Sequence, residues 1–225
     1  MPHTRQAFDD QLHQLEQRLL QFGAFVEAML EKSIRALTTQ DVNLAREVVN
    51  SDDTADLMDL EIEQMCIRLL ALQQPMSRDL RTIGSAMKVI ADVERIGDYS
   101  VDIAKAAIKL ADEHYFKPLV DIPKMSELVR AMLRRALEAL VQRDLAIVRE
   151  VVASDERVDE MWCALEAQII EIMQQRPEVV AQAEKLLLVA RYLERIGDHT
   201  VNIVERVAYI ETGKFKSLGN QDEKI

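Results

Sequence analysis

The pentapeptide Glu-Arg-Ile-Gly-Asp occurs at 94–98 and again at 194–198. Its two carboxylates stand four residues apart, a spacing that returns a helix to nearly the same face. Asp102 extends the first row by another four residues. In the second copy that place is taken by Asn202, whose amide oxygen can coordinate a hard cation but brings no charge. Each copy is preceded by another pair at the same spacing, Asp52 with Asp56 and Asp155 with Asp159. A glycine inside a helix costs about 1 kcal/mol relative to alanine, and like charges four apart repel by a few tenths. Writing both features twice points to chemistry, not to stability.

If the helices carrying these pairs are antiparallel neighbours, Asp52 and Asp56 face Glu94, Asp98 and Asp102, and Asp155 and Asp159 face Glu194, Asp198 and Asn202. With no lysine or arginine in the rows, a cation or a proton must relieve the repulsion. Oxygen-only donors suit hard cations such as magnesium, manganese or ferric iron, and zinc when it is in excess. The rows border an apolar sector made by Ile90, Val93, Gly97, Val101 and Ala104, where glycine permits a close approach. The missing charge at Asn202 makes the second site the weaker expectation. Arg95 and Arg195 sit about 100° round the helix from the glutamates and read as surface residues. His199, whose counterpart is Tyr99, falls off the row and reads as a partly exposed side chain. One such acidic pair alone would be an ordinary solvated face; its repetition argues otherwise.

The elements that must position these groups are helices. Six glycines and five prolines in 225 residues leave little punctuation. Phe22, Phe25, Val26, Met29, Leu30, Ile34 and Leu37 follow the three-and-four spacing of one buried stripe. Met29-Leu30 recurs as Met132-Leu133, and Arg46 to Val49 recurs as Arg149 to Val152, both at an offset of 103. The offset is 100 by the pentapeptide, so the length change falls near Pro75 or Pro177, where a connection tolerates it. The chain therefore reads as all-α, six long helices in two tandem three-helix bundles. The helices are expected over 5–39, 41–73 and 78–113, then 124–142, 144–175 and 178–212, with repeats at 1–117 and 118–225. His114 to Pro123 is the linker between them. Ser51-Asp52 and Ser154-Asp155 suggest a break in the second helix of each repeat. Trp162 and the methionines follow core spacing.

A net charge of -11 and a pI near 4.9 oppose binding to nucleic acid or anionic lipid. Cys66 and Cys163 read as small core residues of a reduced, cytoplasmic protein. The first residues lack the apolar run of a signal peptide, and no stretch approaches the length needed to span a bilayer.

The duplicated pentapeptide on the third helix of a tandem repeat, together with Gln-Pro-Met-Ser-Arg-Asp-Leu-Arg at 74–81, resembles the PhoU family of phosphate-transport accessory and regulatory proteins. The likeness runs from about residue 8 to about residue 212. It implies two helical bundles with metal clusters at Asp52, Asp56, Glu94, Asp98 and Asp102, and at Asp155, Asp159, Glu194 and Asp198. It also implies a negative regulator of the phosphate-starvation response. Such an adaptor links the ATPase subunit of a phosphate ABC transporter to a membrane sensor histidine kinase and reaches the membrane only through them. Two features depart from the pattern: Asn202, and Gln175-Arg176-Pro177 without a following Asp-Leu-Arg.

Two rivals belong to other classes. A carboxylate-bridged metal enzyme would pair glutamate with histidine as Glu-x-x-His, and none of His3, His13, His114 and His199 has a glutamate three residues before it. A plain helical scaffold would use its acids only for solubility. With no glycine-rich loop after a strand and no arginine cluster at a helix start, no phosphate site is expected. Exposed apolar helix faces lead to the expectation of a homodimer.

Overall fold

The computed structural model describes residues 2–73, 75–215 and 217–218; Gln74 and the side chain of His3 lie outside the described residues. Among the described residues seven α-helices follow one another: α1 (Pro2–Thr39), α2 (Val42–Asn50), α3 (Asp52–Gln73), α4 (Ser77–Leu110), α5 (Asp121–Gln142), α6 (Leu145–Gln175) and α7 (Val180–Thr212). A 3-10 turn at Pro177–Val179 leads into α7. No strand occurs among the described residues. Helices α2 and α3 together occupy the place that α6 fills alone, so the two three-helix repeats are present.

The break expected at Ser51 exists; the one expected at Ser154 does not. Both hydroxyls donate back to the carbonyl four residues earlier, Ser51 Oγ to Glu47 O at 2.8 Å and Ser154 Oγ to Glu150 O at 2.9 Å. Neither oxygen is turned forward to cap a new helix, and α6 runs through Ser154 unbroken. At Ser51 the interruption is one residue long, and Ala55 N still bonds to Ser51 O at 3.1 Å. True N-caps stand elsewhere. Asp41 accepts from Asn43 N and Leu44 N, and Asp144 accepts from Ala146 N, supplying amides that a helix start leaves unpaired. Helix α5 starts at Asp121, earlier than expected, because Pro123 sits in the first turn, where its missing N–H has no helical partner to lose. Gly213, at φ 70°, closes α7 in the left-handed conformation that glycine adopts freely.

The stripe of α1 is in the core: Phe22, Val26, Met29, Leu30, Ile34 and Leu37 are buried, and Phe25 packs partly against them. Helices α4 and α7 pair along the middle of the molecule. Helix α1 packs on α4 and α5, and α5 packs on α7, so both bundles share one continuous core. Gly23 sets the distance between α1 and α5, since a Cβ there would lie 2.5 Å from Leu137 Cδ1. Arg130 closes the same seam by donating to Glu27 Oε1 at 2.9 Å and Glu31 Oε2 at 2.6 Å. The linker is pinned as well: Tyr115 Oη donates to Leu37 O, and Gln182 Oε1 accepts from Phe116 N.

One cysteine departs from its expected place. Cys66 is buried, and burial pushes its thiol up to about 12, whereas Cys163 is exposed on the outer face of α6. Trp162 is partly buried, with the Arg191 guanidinium 5.5 Å from its ring centre. Among the methionines, Met76 is exposed at the turn between α3 and α4. No described helix is long and apolar enough to cross a membrane.

Candidate metal centre

The acidic pairs of α3 and α4 form one group, and those of α6 and α7 form another. Ile90, Val93, Gly97, Val101 and Ala104 are buried, and Glu94, Asp98 and Asp102 lie at the edge of that seam with a third to two fifths of their side chains exposed. The rows act on each other electrically. Burial, then Asp56 and Asp98, pushes the Asp52 carboxyl above its usual range. Glu94 is raised by burial and Asp98, with smaller contributions from Asp59 and Asp56. In the second group Asp155 is raised from 3.8 to about 7, first by burial and then by Asp159, Asp198 and Glu194. Asp159 and Glu194 are raised too, each by burial first and Asp198 next.

The second group is the more enclosed. The Glu194 side chain is 10% exposed where that of Glu94 is 30% exposed. Asp155 Oδ1 and Glu194 Oε2 are buried without a hydrogen-bond partner. Leaving buried carboxylate oxygens unpaired costs more than a lost neutral hydrogen bond. Gly197 explains how Asp155 fits: a Cβ on that glycine would lie 2.6 Å from Asp155 Oδ1. Gly97 has no such duty, as its Cβ would meet only Val26 Cγ2 at 3.6 Å and Ala55 Cβ at 4.0 Å. The close approach expected of both glycines belongs to the second copy.

The arginines are nearer to the rows than a helical wheel suggests. Arg95 Nη1 donates to Asp98 Oδ2 at 3.0 Å, and Arg195 Nη1 donates to Asp198 Oδ2 at the same distance. Arg191 adds a 2.7 Å bond to Glu194 Oε1, and Lys105 pairs with Asp102 at 3.6 Å. A long side chain spans the three residues to its neighbour on the next turn, so the rows are partly compensated rather than free of cationic groups. Among the described residues no three histidine, cysteine, aspartate or glutamate side chains stand in ready-made ligand geometry. The groups share a field without meeting at one point.

Asn202 turns toward the other repeat, donating from Nδ2 to Asp92 Oδ1 at 3.0 Å. His199 Nδ1 lies 2.9 Å from the same oxygen; a carboxylate only accepts, so Nδ1 carries the hydrogen. His199 is partly exposed, as its position off the row predicts. Its counterpart Tyr99 stacks on Tyr192, the counterpart of Asp92, with ring centres 5.6 Å apart. The contacts between α4 and α7 thus occur as mated pairs about a pseudo-two-fold axis.

Sequence reasoning missed Asp59, Asp92 and Glu205. Asp59 follows Asp56 by one turn and is raised by burial, Glu63 and Asp56; a search for four-residue spacing alone passes over it. Asp92 could not be found by spacing, because its partners are 107 and 110 residues away. Glu205 is buried and accepts from Leu218 N at 2.6 Å. It lines a cleft of about 380 Å³ with Asp155, Asp159, Asp198 and Asn202. A matching cleft of about 280 Å³ in the first repeat is lined by Asp52, Asp98, Asp102 and Lys105.

Paired three-helix repeats with an acidic cleft between the second and third helix of each define a class of all-helical proteins. The PhoU domain model matches residues 19–107 and 122–207. The chain belongs to the PhoU family. It is 38% identical to the phosphate-specific transport system accessory protein PhoU homolog of Clostridium acetobutylicum, covering 96% of this chain and 100% of that one. The homolog of the same name from Aquifex aeolicus is 37% identical, over 95% of this chain and 97% of its own. The crystal structure of PhoU from Pseudomonas aeruginosa superposes with a TM-score of 0.88 at 32% identity, covering 92% of this chain and 100% of that chain. The phosphate transport system regulatory protein PhoU from Streptococcus pneumoniae gives 0.87 at 33%, over 93% and 99%.

Proposed function

We propose that this protein is a non-catalytic accessory regulator of phosphate uptake that holds down the phosphate-starvation response from the cytoplasm. It works as a metal-binding adaptor between the ATPase subunit of a phosphate ABC transporter and a membrane sensor histidine kinase. The names of its relatives support the transport role, and its long helix faces suit docking to partner proteins. The regulator acts as a homodimer, since part of its helical surface is apolar and uncovered.

The observation that carries the metal reading is a pair of buried oxygens that accept no hydrogen bond, Asp155 Oδ1 and Glu194 Oε2, the latter only 3.8 Å from Arg195 Nε, beside Asp159 and Asp198. Oxygen-only donors fit a hard cation, namely iron, manganese or magnesium, with zinc when supplied in excess. A bound cation supplies the counter-charge that lets carboxylates of two helices share one place. In the first repeat Asp52, Asp56, Glu94, Asp98 and Asp102 would hold it. In the second, Asp155, Asp159, Glu194 and Asp198 would, with Asn202 at the rim held by Asp92. Burial outweighs the missing charge at Asn202, so the second site is the tighter one. Arg95, Arg191 and Arg195 orient individual carboxylates and limit their repulsion.

Elemental analysis of protein purified without a metal-affinity tag tests this. Asp198→Ala is expected to lose more metal than Asp98→Ala, and the double variant to lose nearly all of it. Equal metal content in wild type and double variant would remove the sites. For the regulatory role, deletion of the gene is expected to release phosphate-responsive expression in high phosphate; unchanged expression overturns it.

A further inference from the structure

Helix α3 has two apolar faces, and the fold covers one. Ala55, Ile62, Cys66 and Leu69 are buried against the core. Leu57, Leu60, Gln64, Ile67 and Ala71 repeat at alternating intervals of three and four on the opposite side, about 180° away. Leu57, Leu60 and Ile67 keep 65%, 46% and 51% of their surface exposed. Single exposed leucines are ordinary, but a stripe over four turns that is apolar except for Gln64 at its centre has the period of a helix-pairing seam. The bundle itself does not need it. The corresponding positions of α6, at the offset of 103, are Glu160, Cys163, Ala167, Ile170 and Gln174, polar at both ends.

The charges beside the stripe select the occupant. Glu61 and Arg68 are both exposed and lie on the same edge, seven residues apart. A second α3 laid antiparallel about a two-fold axis brings Glu61 of each copy opposite Arg68 of the other, so one contact is made twice. A parallel second copy would instead set Asp56 beside Glu61, like against like, and this offsets the one favourable contact it makes, Glu63 beside Arg68. We infer that α3 packs antiparallel on α3 of a second copy of this chain, through Leu57, Leu60, Gln64, Ile67 and Ala71, with reciprocal Glu61–Arg68 pairs. This rests on the homodimer reading above and supplies its surface and direction. In one copy Glu61 already pairs with Arg18 of α1, which holds the carboxylate at the edge of the stripe.

Sedimentation velocity of the full chain over a concentration series tests the inference. The wild type is expected at twice 25.7 kDa, and Leu60→Glu with Ile67→Glu at 25.7 kDa with unchanged helix content. Glu61→Arg alone, or Arg68→Glu alone, is expected to weaken the dimer about tenfold. The two together should restore it, because each charge again meets its opposite. A monomeric wild type overturns the homodimer reading and this surface together. A dimer that survives Leu60→Glu with Ile67→Glu overturns the surface and leaves the homodimer standing. Failure of the double charge exchange to restore pairing overturns the antiparallel arrangement.

Discussion

Gly97 and Gly197 hold the same place in two copies of one motif and answer to different neighbours. An alanine at 97 meets only ordinary van der Waals contacts, so Gly97→Ala is expected to raise stability by about 1 kcal/mol through helix propensity and to keep its metal. Gly197→Ala must displace the Asp155 carboxylate, and is expected to stabilise less and to lower metal content in the second repeat. Thermal melts beside elemental analysis check both. Asp155 also sets a pH dependence. Its folded carboxyl keeps a proton up to about 7, whereas an unfolded aspartate releases it near 3.8. Between those values the folded chain binds the more protons, so stability falls as pH rises through that window. Chelator-treated protein should therefore melt progressively lower from about pH 4 to about pH 8, and Asp155→Asn should flatten the trend. The carboxylates were legible because a spacing of four is local. The depth of Asp155 and the partner of Asn202 were not, since both depend on helices far away in the chain.

At the level of the helices, the periodic apolar stripes are strong local signals, and the helices stand within a few residues of the spans they predict; the aspartate caps at 41 and 144 are seen only in the structure. Asp144→Ala is expected to cost about 1 kcal/mol by uncapping α6, seen as a lower urea midpoint with unchanged slope. Ser154 misled because a serine can bond backward into its own helix as readily as forward into a new one. Cys163 misled for another reason. It follows an apolar pattern, but the outer side of α6 carries apolar residues too, and Ile170 is exposed there. Periodicity tells which residues share a face, and only packing tells which face is covered.

For the whole molecule, the repeat was visible from one matched tetrapeptide and the duplicated pentapeptide, whereas the joining of the bundles was not. Helix α1 on α5 and α4 on α7 merge the halves into one core, with Gly23 and Arg130 at one seam and the Asp92–His199 contact at the other. Calorimetry is expected to show one unfolding transition, with equal calorimetric and van't Hoff enthalpies, in place of two separate bundle transitions.

The mated contacts across α4 and α7 have a consequence for how such a chain can change over time. In a symmetric dimer of single repeats, every substitution would appear on both sides of the axis and have to suit both. Fusing the repeats into one polypeptide removes that constraint. Here one mate has become a carboxylate facing an imidazole and the other a pair of stacked phenols. Covalent linkage thus lets two copies of one ancestor drift into unlike halves while the architecture that joins them stays the same.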